Sequence, residues 1–499
     1  MASFKRKMAK KYKIPCPSNI QLLKAYHELV KNKRVKKNDK IEILLRTRPI
    51  RSLSGMVNVS VLTKPYPCPG RCLYCPIEKG MPKSYLSGEP AAERAKKLNF
   101  DPYLQVKRRI EMLENEGHPT DKIDLRIIGG TWSYYPVKYQ EWFLKRCFDA
   151  CDEKFSKNLV NSQKLNEKAK HRIVGISVET RPDFINEKEI KRLREFGVTR
   201  VELGVQSIYD DVLKLNLRGH GIKETILATK FLKDAGFKVC YQMMPNLPGS
   251  NLKRDEKMFQ ELFKNPNFQP DYLKIYPCAL LKKAPLHRWW RQGKYKPYNK
   301  EELINLIKKI KKEIPFYLRI QRITRDIPSL YIVGGGAKIS NLRQIILKEM
   351  KKEGWQCKCI RCREIRENYS PKEKLYLFRE DYEASGGKEI FLSFENKSRT
   401  RIFSFLRLRV VFQKHFFPAL KGATIIREVQ TFGEVVPIGE KKMAPQHRGL
   451  GKKLIKMAEK ITQKEFGLKK IAVISGVGVR EYFRKIGYNL NESYMIKKF

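Results

Sequence analysis

Ile173-Val-Gly-Ile-Ser-Val-Glu179 and Val201-Glu-Leu-Gly-Val-Gln206 are two short β-branched runs separated by one helix-length stretch, and their alternation decides the architecture. Successive side chains of a strand point to opposite faces. In the first run Val174, Ile176 and Val178 therefore share one face, and Gly175, Ser177 and Glu179 share the other. In the second, Val201, Leu203 and Val205 oppose Glu202, Gly204 and Gln206. A parallel sheet covered by helices on both faces reads apolar throughout. Here one face is small and polar, as expected where strands line a cavity that holds a polar ligand. A full or partial α/β barrel with its site inside fits this pattern.

The segments on either side agree. Asp124-Leu-Arg-Ile-Ile-Gly-Gly130 is a strand running into glycines, and residues 238–244 and 271–276 are further strands. Residues 186–196 read as a helix, with Asn186 as N-cap, Glu189 in the capping-box position and Gly197 just past its end. Repeated strand–helix units imply a parallel sheet. The run Gly334-Gly-Gly336 ends the pattern, and residues 341–353 read as a helix. From Lys388 the chain changes to long alternating strands at 389–395, 402–413 and 424–431, then a helix at 450–464 and a strand at 471–475. That is a separate α+β domain. The expected organisation is a basic N-terminal arm (1–47), a barrel domain (48–336), a linker (337–387) and a C-terminal domain (388–499). In the arm, Leu22, Leu23, Tyr26, Leu29 and Val30 lie at helical spacing within 19–32, which suits an RNA-facing helix and an ordinary packed one equally.

Charge narrows the partner. Lys and Arg number 104 against 52 Asp and Glu, a formal net charge of +52, and a lysine-rich thermophile surface usually carries nearly matching Glu. An excess this large suits a polyanion whose phosphates are neutralised as counterions are released, RNA or DNA. No stretch approaches the ~20 apolar residues of a membrane span and no signal-peptide pattern is present. The expectation is a soluble, cytoplasmic protein without a membrane partner.

Six of the eleven cysteines fall in two clusters, which in a cytosolic-looking chain point to metal rather than disulfides. Pro67-Cys68-Pro69-Gly70-Arg71-Cys72-Leu73-Tyr74-Cys75 has the spacing Cys-x3-Cys-x2-Cys. Three thiolates so placed can hold three irons of a [4Fe-4S] cubane and leave the fourth open to the amino and carboxylate groups of S-adenosylmethionine. A zinc knuckle would want a fourth ligand nearby. With Tyr74 before the last cysteine, the motif is similar to that of the radical S-adenosylmethionine superfamily. In that superfamily the cluster loop follows the first barrel strand, here 55–63. Gly129, Gly130 and Thr131 then sit where it has a glycine pair contacting the methionyl amino group, although a tight turn explains glycines there as well. The inward-facing Glu179, Glu202, Gln206 and Lys274 are candidates for binding cofactor or substrate, Lys274 also for catalysis; each is equally open to a structural role. Cys357-x-Cys359-x2-Cys362 suits a structural zinc with a fourth ligand not identified, or a second iron–sulfur site.

Gln446-His447-Arg448-Gly449-Leu450-Gly451 lies between a strand and a helix in the pattern Q-x-x-G-x-G. Glycines at a helix start let backbone N–H groups face a pyrophosphate. This resembles the acetyl-CoA loop of the GNAT acyltransferases.

The two modules together resemble one family, the Elongator catalytic subunits, also called tRNA carboxymethyluridine synthases, from about Arg48 onward. The stretches that carry it include Asn99-Phe-Asp-Pro-Tyr-Leu-Gln105, Glu179-Thr-Arg-Pro-Asp183, Gly204-Val-Gln-Ser207, Met243-Met-Pro-Asn-Leu-Pro248, Ser340-Asn-Leu-Arg-Gln344 and Ser475-Gly-Val-Gly478. The resemblance implies a radical S-adenosylmethionine (β/α) barrel and a GNAT domain joined by a small zinc-binding linker. It implies that an adenosyl radical takes hydrogen from the methyl of acetyl-CoA, and that the carbon radical adds to C5 of uridine 34 in the tRNA anticodon stem-loop, where thioester hydrolysis leaves a carboxymethyl group. Lys122, Glu428, Val429, Gln430, Thr431, Leu450, Gly451 and Lys452 match family positions that contact acetyl-CoA. Tyr482, the candidate catalytic phenol, and Phe483 fall where the family has a Tyr-Tyr pair. Two departures stand out: Phe483 replaces the second tyrosine, and Gln430 stands where many relatives have histidine. The cysteine spacing is tighter than the Cys-x9-Cys of eukaryotic members. If the chain is archaeal-like, other Elongator subunits are not required, and a homodimer is compatible. The rival readings are a protein lysine acetyltransferase, which a +52 chain would serve poorly because it repels lysine-rich tails, and an RNA-binding scaffold without turnover.

Overall fold

Seven parallel strands hydrogen-bond in chain order: β1 (Val57–Leu62), β2 (Lys122–Ile128), β3 (Arg172–Thr180), β4 (Arg200–Gln206), β5 (Lys238–Met243), β6 (Tyr272–Ile275) and β7 (Arg319–Ile323). They belong to a computed structural model that describes residues 2–366, 370, 373–412, 416–433 and 449–499. Among the described residues β1 and β7 do not pair with each other, so the barrel is partial rather than closed. Helices fill the connections and bury the apolar face of the sheet, including Val57, Leu125, Ile176, Val201, Val239 and Ile320.

Local rules account for these elements. The helix Glu187–Glu195 starts at Asn186, whose side chain accepts from the Glu189 N–H at 2.9 Å, and Gly197 follows it at φ +80°. The Glu189 carboxylate does not close the expected capping box; it pairs with Arg192. Gln105, from one of the signature stretches, grips the end of β1 by exchanging hydrogen bonds with both backbone groups of Leu62 (2.9 and 3.0 Å). The helix Asn19–Lys31 buries Leu23 and Tyr26 and leaves Lys24 and Lys31 exposed, so it packs along one edge and is basic on the other.

The second sheet is mixed, in the order β13-β14-β12-β11-β10-β9-β8. Its strands are β8 (Tyr376–Ala384), β9 (Gly387–Glu395), β10 (Ile402–Val411), β11 (Thr424–Thr431), β12 (Lys470–Val473), β13 (Asn489–Asn491) and β14 (Tyr494–Lys498). β8 lies ahead of the Lys388 at which the C-terminal domain was expected to begin; as an edge strand it alternates half-buried and exposed positions and carries little apolar signal. The helix Leu450–Lys464 covers one face with Leu454, Ile455, Ala458 and Ile461.

The two sheets share a polar, dehydrated interface. Asp271, just before β6, receives Arg427 of β11 at 2.8 Å, and Asp234 receives Arg409 of β10 at 3.0 Å. Glu389 of β9 takes Arg409 at 2.9 Å and Arg427 at 3.2 Å, with Lys233 3.7 Å away. Every one of these groups is buried. The signature Ser475-Gly-Val-Gly478 lies directly on β3. A Cβ on Gly478 would stand 2.6 Å from Arg172 Cβ, and one on Gly476 would run into the Val174 carbonyl.

Candidate active site

A cavity of about 350 Å³ opens at the carboxyl ends of β1 to β7, where parallel α/β sheets place their sites. Cys68, Cys72, Tyr74 and Cys75 line it together with Gly130, Thr131, Glu179 and Gln206. Thr131 Oγ1 is 3.9 Å from Cys68 Sγ. Gly129 stands behind the wall: its φ is +137°, and a Cβ there would run into Thr63 Oγ1, so this glycine serves the turn. Gly130, at φ +102°, is the member of the pair that faces the cavity.

Burial raises the thiols, and charge sorts them. Cys72 nevertheless lies below its ordinary range, because Arg218 donates to its Sγ at 3.5 Å. Burial and the neighbouring Cys72 push Cys75 up to about 12. Arg218 is itself oriented by His220 Nε2 at 2.9 Å and by the Gly204 carbonyl, and a Cβ at Gly204 would stand 2.6 Å from the guanidinium. Three thiols carried on one loop at the cavity wall fit the donor set of a multi-iron cluster. Two polar atoms on the same wall, Arg181 Nη1 and Gln206 Oε1, are buried without a protein partner, as a bound polar ligand requires.

The four inward candidates separate into two layers. Glu179 borders the cavity, where it accepts from Tyr85 (2.9 Å), Gln242 (3.0 Å) and Lys274 (3.2 Å). Glu202 lies beneath, ion-paired with Lys274 and 3.8 Å from Arg200, which also holds Asp124 at 2.9 Å. Burial disfavours charge on both Glu202 and Lys274. Their mutual attraction outweighs it, lowering the first and raising the second, so both are charged.

In the second sheet β11 and β12 are paired only from Thr424↔Ile471 to Ile426↔Val473, and the helix Leu450–Lys464 begins beside the unpaired end of β11. A methyl on Gly451 would sit 3.6 Å from Thr431 Oγ1 and 4.0 Å from Val429 Cγ2, which places Val429, Thr431, Leu450 and Gly451 at one locus. Gly449, at φ +68°, turns the chain into the helix, and Lys452 is exposed beside it. The strand's alternation sends the other two candidates away. Glu428 accepts from Tyr272 and from Arg407 (2.9 Å), and Gln430 donates to the Ser54 carbonyl at 2.9 Å. Lys122 sits opposite Arg172, the residue under Gly478, and burial lowers its ammonium below the ordinary range. Tyr482 is 37% exposed, with burial raising its phenol, whereas Phe483 is turned into the core against Tyr488. Gln446 and Arg448 lie outside the described residues.

The sulfurs of Cys357, Cys359 and Cys362 all lie within 4.8 Å of one another, close enough for one metal ion. Fully buried Lys311 donates to Cys362 at 3.4 Å, a cation set against the three sulfurs.

Sequence reading left out Arg218, Arg181, Gln242 and Tyr85. Gln242 shares a face with Cys240 in β5 and was accessible to the alternation argument. Arg181 lies within a quoted signature stretch. Arg218 is flagged only by the glycines at 219 and 221, and Tyr85 by nothing local.

Comparison with known proteins adds the following. The profile of the radical SAM superfamily matches residues 66–262, and that of the radical SAM C-terminal domain matches 270–352. The chain is similar to the tRNA uridine(34) acetyltransferase of Methanocaldococcus infernus, 48% identical over 97% of this chain and 91% of that protein. It is 43% identical to the protein of that name from Dehalococcoides mccartyi, over 90% and 98%. It is 39% identical to Elongator complex protein 3 of Bos taurus, over 91% and 86%. A solved structure, the archaeal Methanocaldococcus infernus Elp3 with its N-terminus (1-46) deleted, superposes with a TM-score of 0.79 at 45% identity, covering 90% of this chain and 100% of that one. No described helix is long and apolar enough to cross a membrane.

Proposed function

Because this chain belongs to the Elongator protein 3 (tRNA uridine(34) acetyltransferase) family, we propose that it draws on S-adenosylmethionine and acetyl-CoA to install a carboxymethyl group at C5 of the wobble uridine of tRNA. The observation that carries this reading is the seat of the Ser475–Gly478 loop on β3, the strand whose far end presents Glu179 to the thiol cavity. A reaction that needs two co-substrates needs their sites in one rigid unit, and this contact supplies it.

Bound in the cavity, an iron–sulfur cluster and S-adenosylmethionine supply radical-generating one-electron chemistry. Cys68, Cys72 and Cys75 would hold the cluster, with Arg218 favouring the thiolate of Cys72. Gly130, Thr131, Arg181 and Gln206 present backbone and side-chain groups to a polar ligand, and the Lys274–Glu202 pair fixes Glu179 from below. Val429, Thr431 and the N–H groups at the start of the helix Leu450–Lys464 form the acetyl-CoA seat of a GNAT-type domain, where backbone donors face a pyrophosphate. Tyr482, protonated and accessible, is the phenol available beside it. Cys357, Cys359 and Cys362 would hold a zinc ion, close in sequence to the bridge that joins Glu364 to Ile402 of β10.

The test is nucleoside mass spectrometry of tRNA after anaerobic incubation with reconstituted enzyme, reductant, S-adenosylmethionine and acetyl-CoA. The expected product is 5-carboxymethyluridine, absent when either co-substrate is withheld and absent in Cys72→Ala. Product that persists in Cys72→Ala, or no product from a chain with an intact cluster and bound tRNA, overturns the reading.

A further inference from the structure

The short helix Leu286–Arg291 has two unlike sides. Its inner side is fixed to the cysteine loop: Leu286 N–H donates to the Leu73 carbonyl at 2.8 Å, and the Leu286 side chain is buried with Cys72, Tyr74 and Cys75. The Ile77 N–H, just past that loop, donates to the Lys283 carbonyl at 3.0 Å. Trp290, one turn beyond Leu286, is 38% exposed, with the His287 ring 5.5 Å away at 33°. Around it Lys282, Arg288, Arg291 and Lys294 are exposed, and among the described residues none has a carboxylate within 4.0 Å.

An exposed indole amid uncompensated cations matches the chemistry of single-stranded RNA, whose unstacked bases lie on aromatic faces while Lys and Arg meet the phosphates. The location adds a reason. A base modified inside a 350 Å³ cavity has to leave its stack, and the nucleotide beside it then loses a neighbour. Trp290 lies one helical turn from Leu286, which packs on Cys72, Tyr74 and Cys75 behind the cavity's cysteine wall.

We propose that Trp290 is a stacking platform for a nucleotide adjacent to the one that enters the cavity, with Lys282, Arg288, Arg291 and Lys294 holding the flanking phosphates. This rests on the reading that tRNA is the substrate. It assigns to the segment 282–294 the task of holding the anticodon loop open.

The experiment uses the full chain and an anticodon stem-loop carrying 2-aminopurine at successive loop positions. Wild type should change the fluorescence of the probe at one position beside the target uridine. Trp290→Ala should abolish that change and weaken binding about tenfold, as loss of one stacked base does, while Trp290→Phe stays within about threefold of wild type. The triple variant Arg288→Ala, Arg291→Ala, Lys294→Ala should reduce the slope of log affinity against log salt by about 2, three phosphate contacts at about 0.7 each. The triple variant should keep its melting temperature, because these three side chains are exposed, and Trp290→Phe separates loss of stacking from loss of packing in Trp290→Ala. Unaltered affinity and probe signal in Trp290→Ala, or an unaltered salt slope in the triple variant, overturns the platform and leaves the surface to a protein partner. If wild type itself forms no carboxymethyluridine, it is the functional reading that has failed.

Discussion

Arg218 reaches Cys72 from 146 residues further along the chain, and that contact is the main one favouring its thiolate. Burial alone would raise Cys72, as it raises Cys75; the guanidinium reverses the sign. A charge-assisted hydrogen bond of this kind contributes about 1.5–3 kcal/mol, so Arg218→Met should release cluster iron to a chelator roughly tenfold faster or more. Iron analysis and the visible absorbance of the cluster check this. Gly204→Ala should behave alike, since its methyl would stand 2.6 Å from the same guanidinium. The inward-facing row of residues teaches a related lesson. Alternation along the strands identified Glu179, Glu202, Gln206 and Lys274 as one polar set, yet only Glu179, Gln206 and Lys274 border the cavity, while Glu202 is occupied beneath by Lys274. A pattern reports the face of a side chain and not its depth.

Among the elements, the helix Leu450–Lys464 offers a test in which stability and binding move in opposite directions. Gly451 occupies a helical position with ordinary negative φ, and among the described residues a methyl there would meet nothing closer than 3.6 Å. Packing therefore does not require the glycine, and alanine should stabilise the helix by up to about 1 kcal/mol. If the glycine admits a pyrophosphate to the backbone, Gly451→Ala should hold or raise the melting temperature while weakening acetyl-CoA about tenfold, as read by calorimetry. Unchanged acetyl-CoA affinity would remove this helix start from the site. Strand legibility followed burial. β3 and β4 were readable because one apolar face repeats at period two. β7, Arg-Ile-Gln-Arg-Ile, and β8 were not: β7 carries arginines in a mostly buried strand, and β8 exposes alternate residues along the sheet edge.

At the scale of the molecule, the interface between the two sheets is built from buried ions. Burial would raise the Asp271 carboxyl, but Arg427, then Lys233 and Arg407, outweigh it and bring it to about 2. A carboxyl with a folded pKa below its unfolded value stabilises fully above about pH 4, and that contribution disappears as pH falls through about 2. The shift corresponds to about 2 to 3 kcal/mol. Asp271→Asn should leave Arg427 with Glu389 alone, a carboxylate it shares with Arg409, and cost roughly 3–5 kcal/mol near neutral pH. Melting followed from pH 7 to pH 2 should show the variant's deficit constant above pH 4 and shrinking below it. A deficit that does not change with pH would mean that Asp271 contributes through shape rather than charge.

The chain by itself determined the order of parallel strand–helix units, the polar inner face, the two thiol clusters and the cationic excess. Each is recorded locally, in a period of two, a spacing of two to four residues, or a sum over composition. Tertiary structure alone decided that the barrel stays open, that Arg218 joins Cys72, that Glu428 and Gln430 turn to Tyr272 and Ser54 while Val429 and Thr431 face the helix start, and that Phe483 belongs to the core. These are pairings between distant parts of the chain. Their free energy depends on which charge meets which partner once water is excluded, and no local pattern encodes that choice.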